Sequence, residues 1–346
     1  MSHYQRWVAL ILAALPLCTV SWDVVPAEAQ TVRDVFKKVA PSVVVIRARG
    51  RDVGTGGQSR FGETGSGVLV SRDGRVMTAA HVVHSMDEIS VQFLGGETVS
   101  ARVVASEPAA DLSLLQLERV PPGVTVAAMA DSNTVEVGDP VIIVGAPYGL
   151  AYSLSAGYIS ARWPPNTVYK TMPLAEFFQT TATINTGNSG GPMFAMNGQV
   201  IGIVSHNISK SGGSEGLGFV VTLNTAKELL LEKRSFWSGL EGLMLNDELS
   251  DILNLPPQAT GYIIKTVAKG SPGDQLGLRG ATQVVTISGQ EVPLGGDILL
   301  TVEGIPLRAA NMPKIRDQMN RAQSGQPFKI TILRAGQVLE LTGQVP

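Results

Sequence analysis

From Thr31 to Ala40 the stretch TVRDVFKKVA places Val32, Val35, Phe36 and Val39 at helical spacing, and Pro41 ends the pattern. The spacing predicts a short amphipathic helix. A different rhythm follows: SVVVIRA, a glycine-rich RGRDVGTGGQSRFGETGSG, GVLVS, RVMTAAHVV, ISVQFLGGETVSARVVAS, DLSLLQL, DPVIIVGAP and YSLSAGYISA. Each apolar run has the length of one strand and is bounded by Gly, Pro, Asp or Asn, with a turn signal at Arg72-Asp73-Gly74. FFQTTATI, GPMFAMNGQVIGIVS with its turn at Asn197-Gly198, and EGLGFVVTL continue the series. Many short strands separated by turn residues predict a mostly β barrel or sandwich.

The next helical pattern runs from Asn224 to Lys233, where Asn224 can cap and Ala226, Leu229, Leu230 and Leu231 form the apolar stripe. It is read as the close of the first domain. Arg234 to Gly239 reads as the junction, after which WSGLEGLML, TGYIIKTVAKGSPGDQLGLRG, GGDILLTVEGIPL, KIRDQMNRA and FKITILRAGQVLELTG make up a second, smaller unit.

Composition agrees with two domains: 346 residues, 44% hydrophobic and 16% charged, are enough for more than one core. Lys plus Arg number 27 against 29 Asp plus Glu, so no basic excess is available to hold nucleic acid. At the start, Arg6 precedes an apolar run from Trp7 to Val20 and then Ala27-Glu28-Ala29. The run is shorter than the ~20 residues that span a bilayer, so residues 1–29 read as a secretory signal peptide cleaved after Ala29. The expected location is secreted or periplasmic. Cys18, the only cysteine, lies inside that run. Disulfides, thiol catalysis and cysteine-based metal sites are therefore excluded from the mature chain.

Candidate chemistry centres on Gly187-Asn188-Ser189-Gly190-Gly191-Pro192. Small residues on both sides let a substrate backbone approach the hydroxyl while main-chain N–H groups converge on one point. A serine is a weak nucleophile without a base, so a histidine and an orienting acid are required. Of four histidines, His3 falls in the leader, leaving His81, His84 and His206. Three scattered histidines have no metal-ligand spacing, and no metal or cofactor is expected. GNSGG also fits the G-x-S-x-G elbow of α/β-hydrolases, but there the acid and histidine follow the serine and a helix follows the elbow. No histidine lies beyond His206, and Pro192 opens an apparent strand. The order His81, Asp111, Ser189 instead matches the trypsin-like arrangement.

GSGVLVSRDGRVMTAAHVV, DLSLLQL, TGNSGGPMF and the trailing segment together resemble the HtrA/Deg family of serine proteases. The resemblance implies two antiparallel β-barrels over residues 30–234 and a small α+β PDZ domain over 238–346. It implies His81 as general base, Asp111 as the acid that orients it and Ser189 as nucleophile, with the N–H groups of Gly187 and Ser189 as oxyanion hole. His84 reads as a surface residue and His206 as part of a loop near the cleft. Where Thr181 and Thr186 stand, the family commonly has Asp and Pro. The strand Ile201, Ile203, Val204, Ser205 resembles the primary-specificity wall and, lacking an acid, suggests cleavage after small aliphatic residues. Trp237, Ser238, Gly239 and Leu240 would form the PDZ carboxylate loop. The expected partners are unfolded or misfolded polypeptides, C-terminal peptides at the PDZ domain, and further copies of the chain in a trimer or multiple. The alternative is a chaperone-like peptide-binding protein with little hydrolysis.

Overall fold

The computed structural model describes residues 31–150, 152–209, 213–233, 235–256 and 259–345. The expected leader, residues 1–29, and Arg234 at the junction lie outside the described residues. Helix α1 (Val32–Val39) starts at Thr31, whose Oγ1 accepts the Asp34 N–H at 3.2 Å. The first barrel closes in the order β1-β2-β3-β6-β5-β4. Its strands are β1 (Val43–Gly54), β2 (Gly57–Leu69), β3 (Arg75–Thr78), β4 (Glu88–Gln92), β5 (Thr98–Glu107) and β6 (Leu112–Leu117). The second closes as β10-β11-β12-β9-β8-β7. It is built from β7 (Pro140–Gly145), β8 (Ser153–Trp163), β9 (Phe177–Thr180), β10 (Pro192–Ala195), β11 (Val200–Asn207) and β12 (Gly218–Thr222).

The near-continuous apolar runs follow from burial on both faces of these strands. Along β7, Val141 and Ile143 fill the interior of the second barrel, while Ile142 and Val144 join a core lying between the barrels. Alternation with period two thus separates two apolar environments rather than core from water. Met77, Leu112 and Leu114 of the first barrel meet Phe177, Phe194 and Ile203 of the second in that shared core, and Val35 and Val39 of α1 complete it.

Two segments differ from the sequence expectation. The run RVMTAAHVV is β3 followed by a one-turn helix, α2 (Ala80–Val83), because Ala80 and the acid ahead of β6 bond across the bend: Ala80 N–H donates to the Asp111 carbonyl at 3.1 Å. The helix expected from Asn224 to Lys233 begins at Leu223, with Thr222 rather than Asn224 at the cap position, and ends at Glu232: α3 (Leu223–Lys227) passes into a wider π turn over Glu228–Glu232, and Lys233 is extended. The glycine-rich segment after Ala48 forms a long hairpin, β1 pairing with β2 from Val43↔Val68 out to Gly54↔Gly57.

The C-terminal unit has its own core of Ile264, Leu299, Ile315, Met319, Phe328, Ile330 and Ile332. In chain order it comprises β13 (Leu240–Met244), α4 (Asp247–Ile252), β14 (Tyr262–Val267), α5 (Pro272–Gln275), β15 (Gln283–Ile287), β16 (Gln290–Leu294), β17 (Ile298–Val302), β18 (Ile305–Pro306), α6 (Met312–Arg321), β19 (Pro327–Arg334) and β20 (Gln337–Gln344). The main sheet runs β13-β14-β17-β19-β20, with β18 beside β17 and a separate β15-β16 hairpin. The β1-β2 hairpin reaches this unit: Val53 packs with Ala281 and Val284, and Lys265 Nζ lies 2.7 Å from Asp52. Nearer the site, Trp237 Nε1–H donates to the His84 carbonyl at 2.9 Å.

Candidate active site

His81 sits at the start of α2, and Asp111 sits at the turn into β6 with φ of 54°, a left-handed conformation that non-glycine residues adopt rarely. That turn points the carboxylate back at α2. Asp111 Oδ1 accepts the His81 backbone N–H at 3.0 Å and lies 2.9 Å from Nδ1, and Oδ2 lies 3.0 Å from the same ring nitrogen. The imidazole is thereby held as the Nδ1–H tautomer, with Nε2 free to take a proton.

Ser205, fully buried on β11, joins this pair to Ser189. Its hydroxyl donates a short hydrogen bond to Asp111 Oδ2, and its carbonyl accepts from Ser189 Oγ at 3.2 Å. The first barrel therefore supplies the histidine and acid, and the second supplies the serine. Among the described residues, Ser189 Oγ bonds to Ser205 rather than to His81 Nε2, so proton transfer requires the hydroxyl to exchange that bond for one to the imidazole. His206 Nδ1 lies 2.8 Å from Ser205 Oγ, and its ring stacks on Phe219 beside Tyr169 and Phe177.

Burial would raise the Asp111 pKa, but the hydrogen bonds and charge of His81 and the Ser205 hydroxyl outweigh it and hold the carboxyl below its ordinary range. His81 is pulled down by burial and up by the Asp111 bond, the Asp111 charge and Glu63, with a net rise. His206 is driven down to about 4 by burial and stays neutral at physiological pH.

The serine loop is two tight turns. Asn188 N–H donates to the Asn185 carbonyl at 3.0 Å and Gly191 N–H to the Asn188 carbonyl at 2.9 Å, with Gly187 and Gly190 at φ of 99° and 80°. A Cβ on Gly190 would stand 2.1 Å from Thr78 Oγ1, so only glycine fits. The N–H groups of Gly187 and Ser189 donate to nothing among the described residues. Two free main-chain donors beside a hydroxyl suit a developing oxyanion.

Residues 65–203, which contain His81, Asp111 and Ser189, match the family described as trypsin-like peptidase domain. A probable periplasmic serine endoprotease DegP-like of Hahella chejuensis is 31% identical over 294 residues, covering 82% of this chain and 57% of that protein. The periplasmic pH-dependent serine endoprotease DegQ of Escherichia coli is 29% identical over 330 residues, covering 88% of this chain and 68% of its own length. A solved HtrA-type protease, AlgW with a decapeptide, superposes with a TM-score of 0.53 at 27% identity, over 91% of this chain and 98% of that one. This chain belongs to the HtrA/Deg family of trypsin-like serine proteases. It spans a little over half the length, 57%, of the Hahella relative.

Ile201, Ile203 and Val204 cannot wall a specificity pocket, because each is at most 1% exposed and points into a core. Ser205 contributes its carbonyl and hydroxyl to the site, not a pocket surface, and the inference of small aliphatic preference loses its basis. His84 is half-buried rather than a free surface residue: Nδ1 lies 2.7 Å from Ser106 Oγ and Nε2 3.0 Å from the Leu240 carbonyl, and burial lowers its pKa. Thr181 and Thr186, just ahead of the serine loop, are both held. Thr181 Oγ1 accepts the Tyr158 N–H at 3.0 Å, and the Thr186 carbonyl accepts the Tyr148 N–H at 2.7 Å. Sequence reading did not single out Ser66 of β2, which lies against the serine loop; the GSG signal around it was visible only as part of the family motif.

Proposed function

We propose that this chain is an extracytoplasmic serine endopeptidase that hydrolyses unfolded or misfolded polypeptides through an acyl-enzyme. The observation that carries the reading is the continuous chain Ser189–Ser205–Asp111–His81 with two undonated N–H groups beside Ser189. In this reaction His81 Nε2 takes the Ser189 proton as Oγ attacks the peptide carbonyl, and later protonates the leaving amine; Asp111 stabilises the imidazolium, and the Gly187 and Ser189 N–H groups bind the oxyanion. Water, deprotonated by the same histidine, releases the acid product. Labelling of the purified protein by a fluorophosphonate, with the adduct mapped to Ser189, tests the assignment. A protein that stays unlabelled and leaves casein intact rejects it.

The raised His81 pKa sets the acid limb. The base is active only when neutral, so kcat/KM for a casein-derived peptide is expected to fall as pH drops through a midpoint above the ~6.5 of an ordinary histidine. A rate unchanged between pH ~5 and ~8 would exclude a histidine base. The rotamer of Ser189, bonded to Ser205, is the observation that favours the second reading, a chaperone-like binder with little hydrolysis. Substrate that turns the hydroxyl toward His81 separates the two readings.

The name and location of the DegP-like and DegQ relatives support a periplasmic site of action and the removal of residues 1–29 as a leader. For the rest of the chain we take residues 30–234 as the protease domain and 238–346 as a PDZ domain, with a trimer or a multiple of one as the assembly. The free edge of β13, preceded by the loop Trp237 to Leu240, suits a peptide added as a further strand. In the chain alone that edge is partly engaged: the Leu240 carbonyl accepts from His84, and Leu240 N–H donates to Ser238 Oγ at 3.3 Å. A C-terminal peptide pairing there competes with His84. His84→Ala is therefore expected to tighten binding of peptides with free carboxylates by about fivefold, one hydrogen bond's net worth of ~1 kcal/mol, in a fluorescence-anisotropy titration. Equal affinity, or binding indifferent to amidation of the peptide, would count against the carboxylate loop.

A further inference from the structure

We infer that Ser66 is a positioning residue for the oxyanion hole, a clasp from the first barrel that fixes the peptide plane between its two donors. The inference rests on Ser189 as nucleophile. Ser66 lies on β2, is fully buried, and makes four hydrogen bonds, each with a different partner. Its N–H donates to the Ser189 carbonyl at 2.8 Å and its Oγ to the Gly187 carbonyl at 2.7 Å. Its Oγ accepts the Ala146 N–H at 2.9 Å, and its carbonyl accepts Thr78 Oγ1 at 2.8 Å. Thr78 closes β3, just before the residues that carry His81.

The direction of the hydroxyl proton is determined. Ala146 N–H can only donate, so the Ser66 proton must go to Gly187. What that bond holds is a peptide plane poised to flip. Gly187 has no Cβ and a φ of 99°, so rotation of the Gly187–Asn188 plane meets little intrinsic resistance. The N–H groups on either side of this plane are the two oxyanion donors. The Thr186–Gly187 plane is pinned by Tyr148 N–H on its carbonyl, and the Asn188–Ser189 plane by Gly191 N–H. The plane between them depends on the Asn188 N–H to Asn185 turn bond and on Ser66. Asn185, Thr186 and Tyr148 all belong to the second barrel, so Ser66 is the point at which the first barrel, bearing His81, sets the donors relative to the base.

The test compares wild type with Ser66→Ala and Ser66→Cys, the second keeping side-chain bulk while offering only a weak S–H donor. Competent sites are counted by fluorophosphonate titration, and kcat and KM are measured per titrated site on a quenched-fluorescence peptide built on a mapped casein cut. Misplacement of the donors by a fraction of an ångström to 1 Å is expected to lower kcat roughly tenfold to hundredfold with KM nearly unchanged. Inhibition by a peptide aldehyde, whose adduct places an oxyanion in the hole, should weaken in parallel. A merely structural residue would lower the melting temperature and the number of titrated sites, leaving kcat per site alone. If wild type labels and either variant has kcat per site within about twofold of it, the role of Ser66 is overturned and the nucleophile stands. A wild type that does not label overturns both.

Discussion

Replacement of Ser189 by alanine is expected to lower kcat for peptide hydrolysis by about 10⁶-fold and to abolish fluorophosphonate labelling, while the protein stays folded. The large factor reflects loss of the covalent route: without Oγ, His81 has no hydroxyl to deprotonate and the acyl-enzyme cannot form. Residual turnover above the water rate would come from the two free N–H donors, which the substitution leaves in place. The side chain is small, and its loss removes one hydrogen bond, to the carbonyl of the buried Ser205, a cost of about 1–3 kcal/mol. Circular dichroism should therefore match the wild type, with the melting temperature lowered by a few degrees at most. Casein cleavage at wild-type rates by the purified variant would remove Ser189 from the mechanism.

Asp111→Asn is expected to cost about 10⁴-fold in kcat with little change in KM. The carboxylate accepts the His81 backbone N–H and Nδ1–H and the Ser205 hydroxyl. An amide keeps one oxygen for the obligatory His81 backbone donor and must turn its NH₂ toward Ser205. Ser205 can reverse, accepting from the new amide and donating to His206 Nδ1, which lies 2.8 Å away, so the fold survives. The charge does not survive, and the imidazolium loses its stabilising partner. Because the bond and charge of Asp111 are what raise the His81 pKa against burial, the acid limb of kcat/KM should also move to lower pH in this variant. A variant with wild-type kcat, or an unmoved acid limb, would show that Asp111 does not act on His81.

Much of this was legible in the chain. Turn residues between strand-length apolar runs announced a β protein, because every reversal needs a residue tolerant of the turn's dihedrals, as at Gly74, Gly187 and Gly198. The order His81, Asp111, Ser189 and the glycines around the serine pointed to trypsin-like chemistry, since a nucleophile, base and orienter leave a mark in residue type whatever their distance along the chain. The Ile201 to Val204 run was misread for a related reason. An apolar strand reads the same whether it lines a pocket or fills a barrel, and only closure of the β10-β11-β12 ladder decides which face each side chain takes.

Residue types and their local spacing thus determined the β character of the chain, the chemistry available and its candidate nucleophile. What they left open are the contacts made across the two barrels and onto the C-terminal unit. The left-handed turn at Asp111 aims its carboxylate, and Ser205, whose hydroxyl and carbonyl serve two different partners, joins acid to nucleophile. His84, one turn beyond His81, reaches across to hold the Leu240 carbonyl, and Ser66 locks a loop lying more than a hundred residues away in sequence. No local pattern encodes such pairs, because a hydrogen bond between distant segments is selected by which backbone groups the packed cores leave unsatisfied, and that accounting exists only once both barrels have closed.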